Sequence, residues 1–460
     1  MINIDEMSIN KNAITIVKLL NKQGYEAYLV GGCVRDMLLG VEPNDWDICT
    51  DATPIEVINC LQSNKVMHYE SGIDFGTITA ILNGEEFEVT TYRKETGYAD
   101  NRHPDKIQFT KNLQEDLCRR DFTINAIAFN IVNNEIVDPF GGHIDLENRI
   151  LRTVGNPEDR FNEDALRILR AIRFAIRFNM NIENSTEYAM IKLLDNLDSI
   201  SKERVTQELE KMLTSGNSVT KHFLEYSCII AKIIPEIGEC IGFEQNNKYH
   251  KHNVYEHMLA VVDLCKSNDF IIKLSALLHD IGKPKAYTTD TDGNGHFYGH
   301  PDISYEICQE IVDKRLVLTK EQREELLTLV KYHDFNVRRT TKSLKRAMRT
   351  LGEELIDKWF ILKQADVDDH INLDIIGRDE YGWRHTSELK QIKDEIIASE
   401  QCFSLSKLAV NGRDIMGELG IKPGKQVGQI LTTLLEEVID EKIVNDYDIL
   451  IKRAGEIIVE

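Results

Sequence analysis

Two hydrophobic periodicities divide the chain into an N-terminal mixed segment and a longer helical one. Residues 8–24 place apolar side chains every three or four positions, which predicts a helix that Ser8 caps and Gly24 ends. Residues 26–30 form a short, largely apolar run that predicts a strand leading into a pair of glycines. The first part of the chain therefore combines helices with strands.

A hairpin is predicted farther along the same segment. Residues 75–82 and 86–92 alternate apolar and polar side chains on either side of Asn83-Gly84, a sequence typical of a two-residue hairpin loop. After about residue 160 the period is helical almost to the end, interrupted by a loop predicted at 286–302. The predicted fold class is α+β, with an N-terminal mixed α/β head and an elongated all-α remainder.

The length of 460 residues suggests roughly three units, and the changes of pattern along the chain divide it into four predicted domains. We expect a head at 1–150, a helical neck at 151–240, a body at 241–384 and a helical tail at 385–460. No run of about 18 uncharged apolar residues occurs, so no membrane-spanning helix is expected, and the N-terminal residues do not resemble a signal peptide. Nine scattered cysteines without CxxC pairs predict free thiols in a reducing cytoplasm.

The net charge of −21, from 55 basic and 76 acidic residues, argues against a large unspecific nucleic-acid surface. The basic residues nevertheless cluster locally. Residues 167–177 contain four arginines and no acid, so a local contact with phosphates remains compatible with the composition.

A pair of aspartates follows the two glycines. In a strand, Asp45 and Asp47 would direct both carboxylates to one side, where they could hold Mg²⁺ beside a substrate phosphate. The backbone after Gly31 and Gly32 can approach a phosphate closely, and Arg35 lies one turn into the helix that follows. The alternatives are two solvated turn aspartates and a simple tight turn.

A possible reader of nucleotide bases lies at the start of the basic cluster. Asp164 and Arg167 are three positions apart and would share a helical face, which Arg170 and Arg173 extend. Cytosine and adenine both present an acceptor beside an amino donor. Because arginine only donates and ionised aspartate only accepts, one such pair would match both bases and mismatch guanine and uracil. The alternative is an ordinary surface ion pair.

Five motifs in order resemble one family. They are GGCVRDMLLG at 31–40, NDWD at 44–47, RRDFTINAIAF at 119–129, DPFGG at 138–142 and EDALRILRAIRF at 163–174. This order resembles the class II CCA-adding enzymes, bacterial tRNA nucleotidyltransferases of the DNA polymerase beta superfamily.

The resemblance implies that CTP and ATP extend the 3′ end of tRNA. It assigns two Mg²⁺ ions to Asp45 and Asp47, and it places Gly32, Arg35 and Arg120 at the incoming nucleotide. It implies the base-reading role for Asp164 and Arg167, supported by Arg170 and Arg173. Glu88, on a hairpin strand, is a candidate third carboxylate; a solvent-facing glutamate is the alternative.

Three further segments fit the same family. Residues 92–109 resemble its flexible loop, which favours addition of all three nucleotides, although His103 stands where arginine is usual. A helix at 201–213, capped by Ser201, supports the nucleotide-selecting region in that family. Residues 405–431 resemble the tail that reaches towards the tRNA elbow; a small helical packing module is the alternative.

A second metal site is predicted in the body. The sequence HDIGKP at 279–284 resembles the HD phosphohydrolases, whose pattern matches His257, His279, Asp280 and Asp366. His300 and His333 stand where two-metal members carry additional ligands. Imidazole and carboxylate ligands suit a divalent transition metal, and a 2′,3′-cyclic phosphate at a damaged RNA end is a candidate substrate. The alternative is a set of structural histidines.

The main competing function is that of a bacterial poly(A) polymerase, which shares the head motifs. A second is an HD phosphohydrolase whose head only binds RNA. The intact Asp45 and Asp47 weigh against the second. The sequence leaves partial addition of CC or A, and the oligomeric state, undecided.

Overall fold

A computed structural model describes residues 9–97, 106–247, 250–370, 383–399 and 401–459. The chain forms two compact units. One comprises Met1–Asn217 with Cys228–Ile233, and the other comprises Ser218–Ser227 with Ile234–Glu460. The four domain boundaries expected above remain predictions.

The strands at the start of the first unit are β1 (Ala27–Val30), β2 (Asp47–Thr50), β3 (Met67–Gly72), β4 (Thr77–Leu82), β5 (Glu85–Thr91), β6 (Arg93–Thr96), β7 (Lys106–Phe109), β8 (Ala128–Asn130) and β9 (Glu135–Val137). Seven of them form one sheet among the described residues, in the order β3-β4-β5-β2-β1-β8-β9. The helices are α1 (Lys11–Lys22), α2 (Gly32–Leu38), α3 (Pro54–Ser63), α4 (Leu113–Cys118) and α5 (Gly142–Asn148). Strand β2 is central, antiparallel to β1 and parallel to β5.

The first helix and the hairpin are where the sequence predicts them. Helix α1 is capped by Asn10, whose side chain accepts from the backbone of the first turn, while Ser8 lies outside the described residues. Strands β4 and β5 pair across Asn83 and Gly84, both with positive φ, of 54° and 84°. Those dihedrals are the ones an Asn-Gly hairpin turn requires.

The rest of the first unit is mainly helical, as predicted. It contains α6 (Pro157–Glu163), α7 (Leu166–Phe178), α8 (Asn184–Lys192) and α9 (Lys202–Leu213), with strands β10 (Ile150–Leu151) and β11 (Asn181–Ile182) pairing in parallel. Helix α10 (Thr220–Glu225) belongs to the second unit, and most of α11 (Ser227–Ile233) belongs to the first. Ser201 occupies the N-cap position of α9, but its side chain makes no capping hydrogen bond.

The second unit is almost entirely helical. Its helices are α12 (Val254–Leu264), α13 (Phe270–Leu278), α14 (Lys283–Ala286), α15 (His300–Lys314), α16 (Lys320–Tyr332), α17 (Thr341–Leu351), α18 (Leu355–Asp368), α19 (Trp383–Ala398), α20 (Gly412–Leu419), α21 (Lys425–Ile439) and α22 (Tyr447–Val459). The predicted loop at 286–302 contains a short hairpin of β12 (Thr288–Thr289) and β13 (Gly295–His296). Over the described residues, no helix is long and apolar enough to cross a membrane.

The last three helices have an apolar core of their own. Ile415 of α20, Leu434 and Leu435 of α21, and Leu450 of α22 are fully buried and pack together. Their burial explains why this segment folds as a small helical module.

Candidate active site and metal centre

The head carboxylates meet at the start of the central strand. Asp47 opens β2, and Glu88 on β5 is its register partner across the parallel strand pair. Asp45 lies exposed in the bend before the strand. The prediction that Asp45 and Asp47 alternate along one strand was therefore wrong. Trp46, only 8% exposed, anchors the bend between the two aspartates.

Asp47 is in an environment that opposes its ionisation. Burial raises the pKa of Asp47 to about 6, and the Glu88 and Asp45 charges add to this effect, whereas Arg120 and Arg35 lower it. A cluster of carboxylates that repel one another and gain from a nearby cation is the donor set expected for a hard divalent ion.

The glycine turn closes tightly over an arginine. Gly31 has φ 76°, and a Cβ there would lie 2.7 Å from the Nη1 atom of Arg120. Only glycine meets both conditions, because a side chain would clash and the dihedral belongs to the left-handed region. Gly32 begins α2, and a Cβ on it would lie 3.6 Å from the Nη2 atom of Arg35.

Arg35 is buried beneath the turn, with 5% of its surface exposed. Its Nε atom donates to Asp36 Oδ1 at 2.8 Å, and its Nη1 atom donates to Asn125 Oδ1. Its guanidinium also lies 4.5 Å from the centre of the Phe178 ring. In this structure Arg35 is fixed by protein groups, and burial lowers its pKa.

Arg120 and Asp121 connect the head to α7. Arg120 lies 3.5 Å from Asp116 Oδ2, and its buried Nε atom has no hydrogen-bond partner. Asp121 accepts from Arg170 Nε at 2.9 Å and from Asn125 Nδ2 at 3.0 Å. Burial opposes the ionisation of Asp121, but Arg170 and Asn125 prevail and hold its pKa well below the usual range.

Asp164 lies in a break between two helices. It is extended, with φ −144° and ψ 104°, after α6 and before α7. The predicted shared helical face with Arg167 was therefore wrong in its geometry. Asp164 Oδ1 accepts from the backbone N–H of Leu166 at 3.0 Å, and Oδ2 accepts from Arg204 Nη2 at 2.9 Å.

Arg167 has partners other than Asp164. Its Nη1 atom donates to Glu163 Oε2 at 2.7 Å, and its Nη2 atom donates to the Arg119 carbonyl at 3.0 Å. The alternative of a simple Asp164–Arg167 ion pair is therefore not what the structure contains. Glu163 contacts Arg167 and Arg204 contacts Asp164, and no pattern in the sequence indicates either contact.

The other two arginines of α7 also contact acidic side chains. Arg170 pairs with Asp121, whereas Arg173 donates to Glu208 Oε1 at 3.1 Å and is only 8% exposed. Burial lowers the pKa of Arg173 to about 10 against the opposing effect of Glu208. Helix α9, which carries Arg204 and Glu208, thus contacts both ends of the predicted nucleotide-selecting region.

In the second unit, the predicted ligands converge from different helices. His257 on α12, His279 and Asp280 after α13, and Asp366 on α18 are all at least nine-tenths buried. His257 Nε2 lies 3.3 Å from both Asp280 Oδ2 and Asp366 Oδ1, and His279 Nε2 lies 3.2 Å from Asp280 Oδ2.

A second pair of histidines faces the other oxygen of Asp280. His300 Nε2 lies 3.1 Å and His333 Nε2 lies 3.5 Å from Asp280 Oδ1. Across the described residues, two groups of three possible metal ligands lie within 4.8 Å of one another, and Asp280 belongs to both. This arrangement fits two ions bridged by one carboxylate better than a set of structural histidines.

Hydrogen bonds orient each imidazole with Nε2 towards the centre. The Nδ1 atoms of His279, His300 and His333 lie 2.8, 2.8 and 2.7 Å from the carbonyls of Ala276, Phe297 and Val330, while His257 Nδ1 lies 2.8 Å from Asp369 Oδ2. Such outer partners fix the tautomer in metal sites. Asp369 was missed in the sequence because nothing distinguishes it from neighbouring Asp368.

A cavity of about 330 Å³ opens beside this cluster. Lys283 and Lys363 line it and contact Asp280 and Asp366 at 2.6 and 3.3 Å. Burial opposes ionisation of Asp280, but His279 and Lys283 lower its pKa far below the usual value. The cavity thus combines a set of candidate metal ligands with two cations of the kind that contact phosphates.

Comparison with protein families gives four matches along the chain. The poly A polymerase head domain matches residues 27–152, and a probable RNA- and SrmB-binding site of polymerase A matches 179–238. The HD domain matches 220–370, and a putative tRNA nucleotidyltransferase domain 2 matches 382–454.

Two curated relatives are CCA-adding enzymes of lactobacilli. The one from Ligilactobacillus salivarius is 32% identical over 457 residues, which cover 98% of this chain and 97% of the relative. The one from Lactobacillus helveticus is 45% identical over 213 residues, which cover 46% of this chain and 52% of the relative.

A solved structure is similar over nearly the whole length. The Bacillus stearothermophilus CCA-adding enzyme in complex with CTP superposes with a TM-score of 0.70 at 26% identity, covering 97% of both chains. A Thermotoga maritima structure, also of a CCA-adding enzyme, has a TM-score of 0.60 at 19% identity, covers 99% of this chain and 98% of that one, and supports the fold alone.

Proposed function

This chain belongs to the family of the CCA-adding enzymes, and from this we propose that it adds C, C and A to the 3′ end of tRNA with Asp45 and Asp47 as its catalytic carboxylates. CTP and ATP are the nucleotide substrates, and the reaction uses a divalent metal, for which Mg²⁺ is typical of this class. The observation that carries the proposal is the strand register, which places Asp47 of β2 next to Glu88 of β5.

In the proposed reaction, the 3′-hydroxyl of the tRNA loses its proton to solvent and its oxygen bonds to the α-phosphorus of the nucleotide. The bond from that phosphorus to the bridging oxygen breaks, and pyrophosphate leaves. Two Mg²⁺ ions, when bound, stabilise the charge on the attacking and leaving oxygens. Asp45 and Asp47 would hold them, and Glu88 would complete the donor set. The raised pKa of Asp47 supports the fit, because a bound cation relieves the repulsion among these three carboxylates.

The chain's own groups position the nucleotide. The backbone at Gly31 and Gly32 admits the triphosphate without a side chain in its path, and Arg120 beside Gly31 donates to it. Arg35 holds Asn125 through a hydrogen bond to its side chain, and the backbone carbonyl of Asn125 lies 3.5 Å from Arg120 Nη1. Arg35 is thereby a positioning residue in this proposal.

Selection of C and A rests on Asp164 and Arg167. Each has free hydrogen-bonding capacity beyond the contacts with Arg204 and Glu163, because a carboxylate oxygen accepts twice and guanidinium carries five donors. These outer partners restrict both side chains before a base arrives. Arg170 and Arg173, restricted in turn by Asp121 and Glu208, support the helix that presents the pair.

An extension assay tests the proposal. Transcripts of tRNA ending before CCA, after C and after CC are incubated with CTP and ATP. The expected products all end in CCA and grow no further, with Asp47→Asn protein inactive. An open-ended A tail would identify a poly(A) polymerase, and a stop at CC would restrict the activity to C addition.

A second activity is favoured by the position of Asp280 between two pairs of histidines. We infer hydrolysis of a phosphate ester, with a divalent transition metal bound by His257, His279, Asp280 and Asp366 and with His300 and His333 completing a second position. A 2′,3′-cyclic phosphate at an RNA end is the substrate to test, because its removal regenerates the hydroxyl that the head extends. The test compares Asp47→Asn protein with the double variant Asp47→Asn/His279→Ala. Equal rates of cyclic-phosphate hydrolysis by the two proteins would refute this activity.

Two expectations stay predictions. His103 lies outside the described residues, as do residues 98–105 of the predicted flexible loop at 92–109, so the role of this loop stays a prediction. All nine cysteines are free thiols, which supports a reducing cytoplasm as the place of the reaction.

A further inference from the structure

One row of side chains crosses four strands of the head sheet. The register pairs Asp47 of β2 with Glu88 of β5. Glu88 is paired in turn with Thr79 of β4, and Thr79 is paired with Tyr69 of β3. Side chains at paired positions of neighbouring strands lie on the same face of a sheet. Tyr69 therefore shares a face with the carboxylates of the proposed active site.

This face is open over β3, β4 and β5. The other face is covered by α3, and its side chains, such as Ile78 and Phe87, are fully buried. On the open face Tyr69 is 57% exposed and Met67, two positions earlier on the same strand, is 68% exposed. The row that begins at Asp47 thus ends in a small exposed apolar patch with one aromatic ring.

Strand β3 is irregular directly after Tyr69. Tyr69 pairs with Thr79 and Gly72 pairs with Thr77, so β3 has one residue more than β4 between the same two points. A Cβ on Gly72 would lie 3.0 Å from the carbonyl oxygen of Thr77, so the two strands approach closely there. Bulges of this kind bend a strand, redirect side chains and are frequent next to active sites. Tyr69 is the last regularly paired position before this one.

The order of the strands separates the two substrates of the reaction. The glycine turn at Gly31 follows β1, which lies on the opposite side of β2 from β5. In an in-line displacement the attacking and leaving oxygens lie on opposite sides of the phosphorus. With the triphosphate at the glycine turn, the 3′ end of the tRNA reaches the carboxylates from the side of β5, β4 and β3.

The charge of the open face favours one part of the RNA. Glu86 and Glu88 are both exposed on this face of β5, and their carboxylates repel backbone phosphates. Bases carry no charge, and each of them has a π-face that can stack on an aromatic ring. The unpaired 3′ end of a tRNA therefore fits this surface with its bases towards the sheet.

We propose that Tyr69 stacks on the discriminator base of the tRNA, the nucleotide that precedes CCA, when the substrate already ends in CC. The proposal rests on nucleotide addition at Asp47 and names a positioning contact outside the carboxylates and the base-reading pair. Because stacking does not depend on the identity of the base, Tyr69 serves tRNAs with any discriminator nucleotide.

The length of the row determines the stage of the reaction at which this contact forms. Neighbouring strands are about 4.8 Å apart, so Tyr69 lies roughly 10 Å from Glu88 along the row. Stacked nucleotides rise about 3.4 Å each, and the row is therefore about two to three nucleotides long. A terminal C above Glu88 places the discriminator base beside Tyr69. Before any C is added, the base at that distance belongs to the paired acceptor stem and is not available for stacking.

Kinetics at two stages test the proposal. Tyr69→Leu keeps an apolar side chain and removes the ring. We expect KM for tRNA ending in CC, with ATP, to rise roughly tenfold, with kcat at saturating tRNA as in wild type. KM for tRNA lacking CCA, with CTP, should stay close to the wild-type value, and Tyr69→Phe should restore both. Ile55→Ala is the control, since Ile55 is 67% exposed on α3, which covers the other face.

A cross-link gives a second readout that does not require catalysis. Asp47→Asn protein is mixed with tRNA ending in CC that carries thiouridine at the discriminator position. After irradiation, mass spectrometry identifies the attached peptide. We expect attachment within residues 67–72, and attachment elsewhere would overturn the proposal even if Tyr69→Leu protein did not fold.

The remaining outcomes separate this inference from the proposed function. Wild-type protein that adds no CCA but cross-links within residues 67–72 would refute the function and retain the contact. Unchanged KM in Tyr69→Leu protein, or an equal rise at both stages, would overturn the stage-specific contact. Dimers of the wild type that Tyr69→Leu abolishes, with both KM values unchanged, would assign the patch to a second copy of the chain and also overturn it.

Discussion

Asp47 and Glu88 occupy matching register positions on two parallel strands, so the side chains of residues distant in sequence lie next to each other. Parallel neighbours in a sheet place side chains of the same register on the same face. This relationship turns an isolated pair of aspartates into a cluster of three carboxylates at the end of the central strand.

Glu88→Gln should weaken the metal dependence of nucleotide addition. We expect the Mg²⁺ concentration for half-maximal CTP incorporation to rise about 10- to 100-fold, because one donor charge is lost next to Asp47. Glu86→Gln is the control on the same strand, where Glu86 is exposed and pairs with Ile81. Glu88 is itself exposed, and an unchanged Mg²⁺ profile would show that it has no role in metal binding.

Arg204→Met should reduce the discrimination between CTP and UTP. The side chain loses its hydrogen bond to Asp164 Oδ2, so the carboxylate can turn away from the base. We expect the ratio of kcat/KM for CTP over UTP to fall at least roughly tenfold, and further in Asp164→Ala protein. Lys202→Met, an exposed change on the same helix, should leave the ratio as in wild type. Full selectivity in Asp164→Ala protein would rule out the base-reading role.

Asp121→Asn should destabilise the fold by about 2 kcal/mol at pH 7, since it removes a charged acceptor from Arg170 and Asn125. The folded-state pKa of Asp121 is depressed, so its contribution is present above the unfolded value of about 4 and is lost as the pH falls below it. Urea unfolding of both proteins should therefore give a constant difference from pH 7.5 to 5. If the difference in unfolding free energy between the two proteins disappeared between pH 7 and 6, the pH dependence would come from a group other than Asp121.

Metal content should report the two positions around Asp280. After loading with Ni²⁺ and removal of free metal, Asp47→Asn protein should retain about two ions per chain by mass spectrometry. His300→Ala should retain one, and Asp280→Ala should retain neither, because its two oxygens face different pairs of histidines. His296→Ala is the control, since His296 contacts Asp290 outside the cluster. Loss of both ions from His300→Ala protein would contradict two separable positions.

The sequence by itself determined the local features of this protein. Asn83 and Gly84 specify a turn through their own dihedral preferences, and an apolar period of 3.6 specifies a helix such as α7 whatever lies elsewhere. The motifs likewise singled out Asp47 and Asp280, because the chemistry of metal binding needs those residue types at those spacings; their roles as metal ligands stay predictions.

Only the tertiary structure decided which distant residues complete the sites. The order of strands selects Glu88 as the neighbour of Asp47, and the packing of α9 against α7 selects Arg204 for Asp164. The break between α6 and α7 at Asp164 could not be predicted, because the helical period of the sequence continues through this residue. In the structure Asp164 is extended, and its side chain accepts a hydrogen bond from the backbone N–H of Leu166. Pairings of this kind depend on sheet topology and helix packing, which local side-chain preferences do not encode.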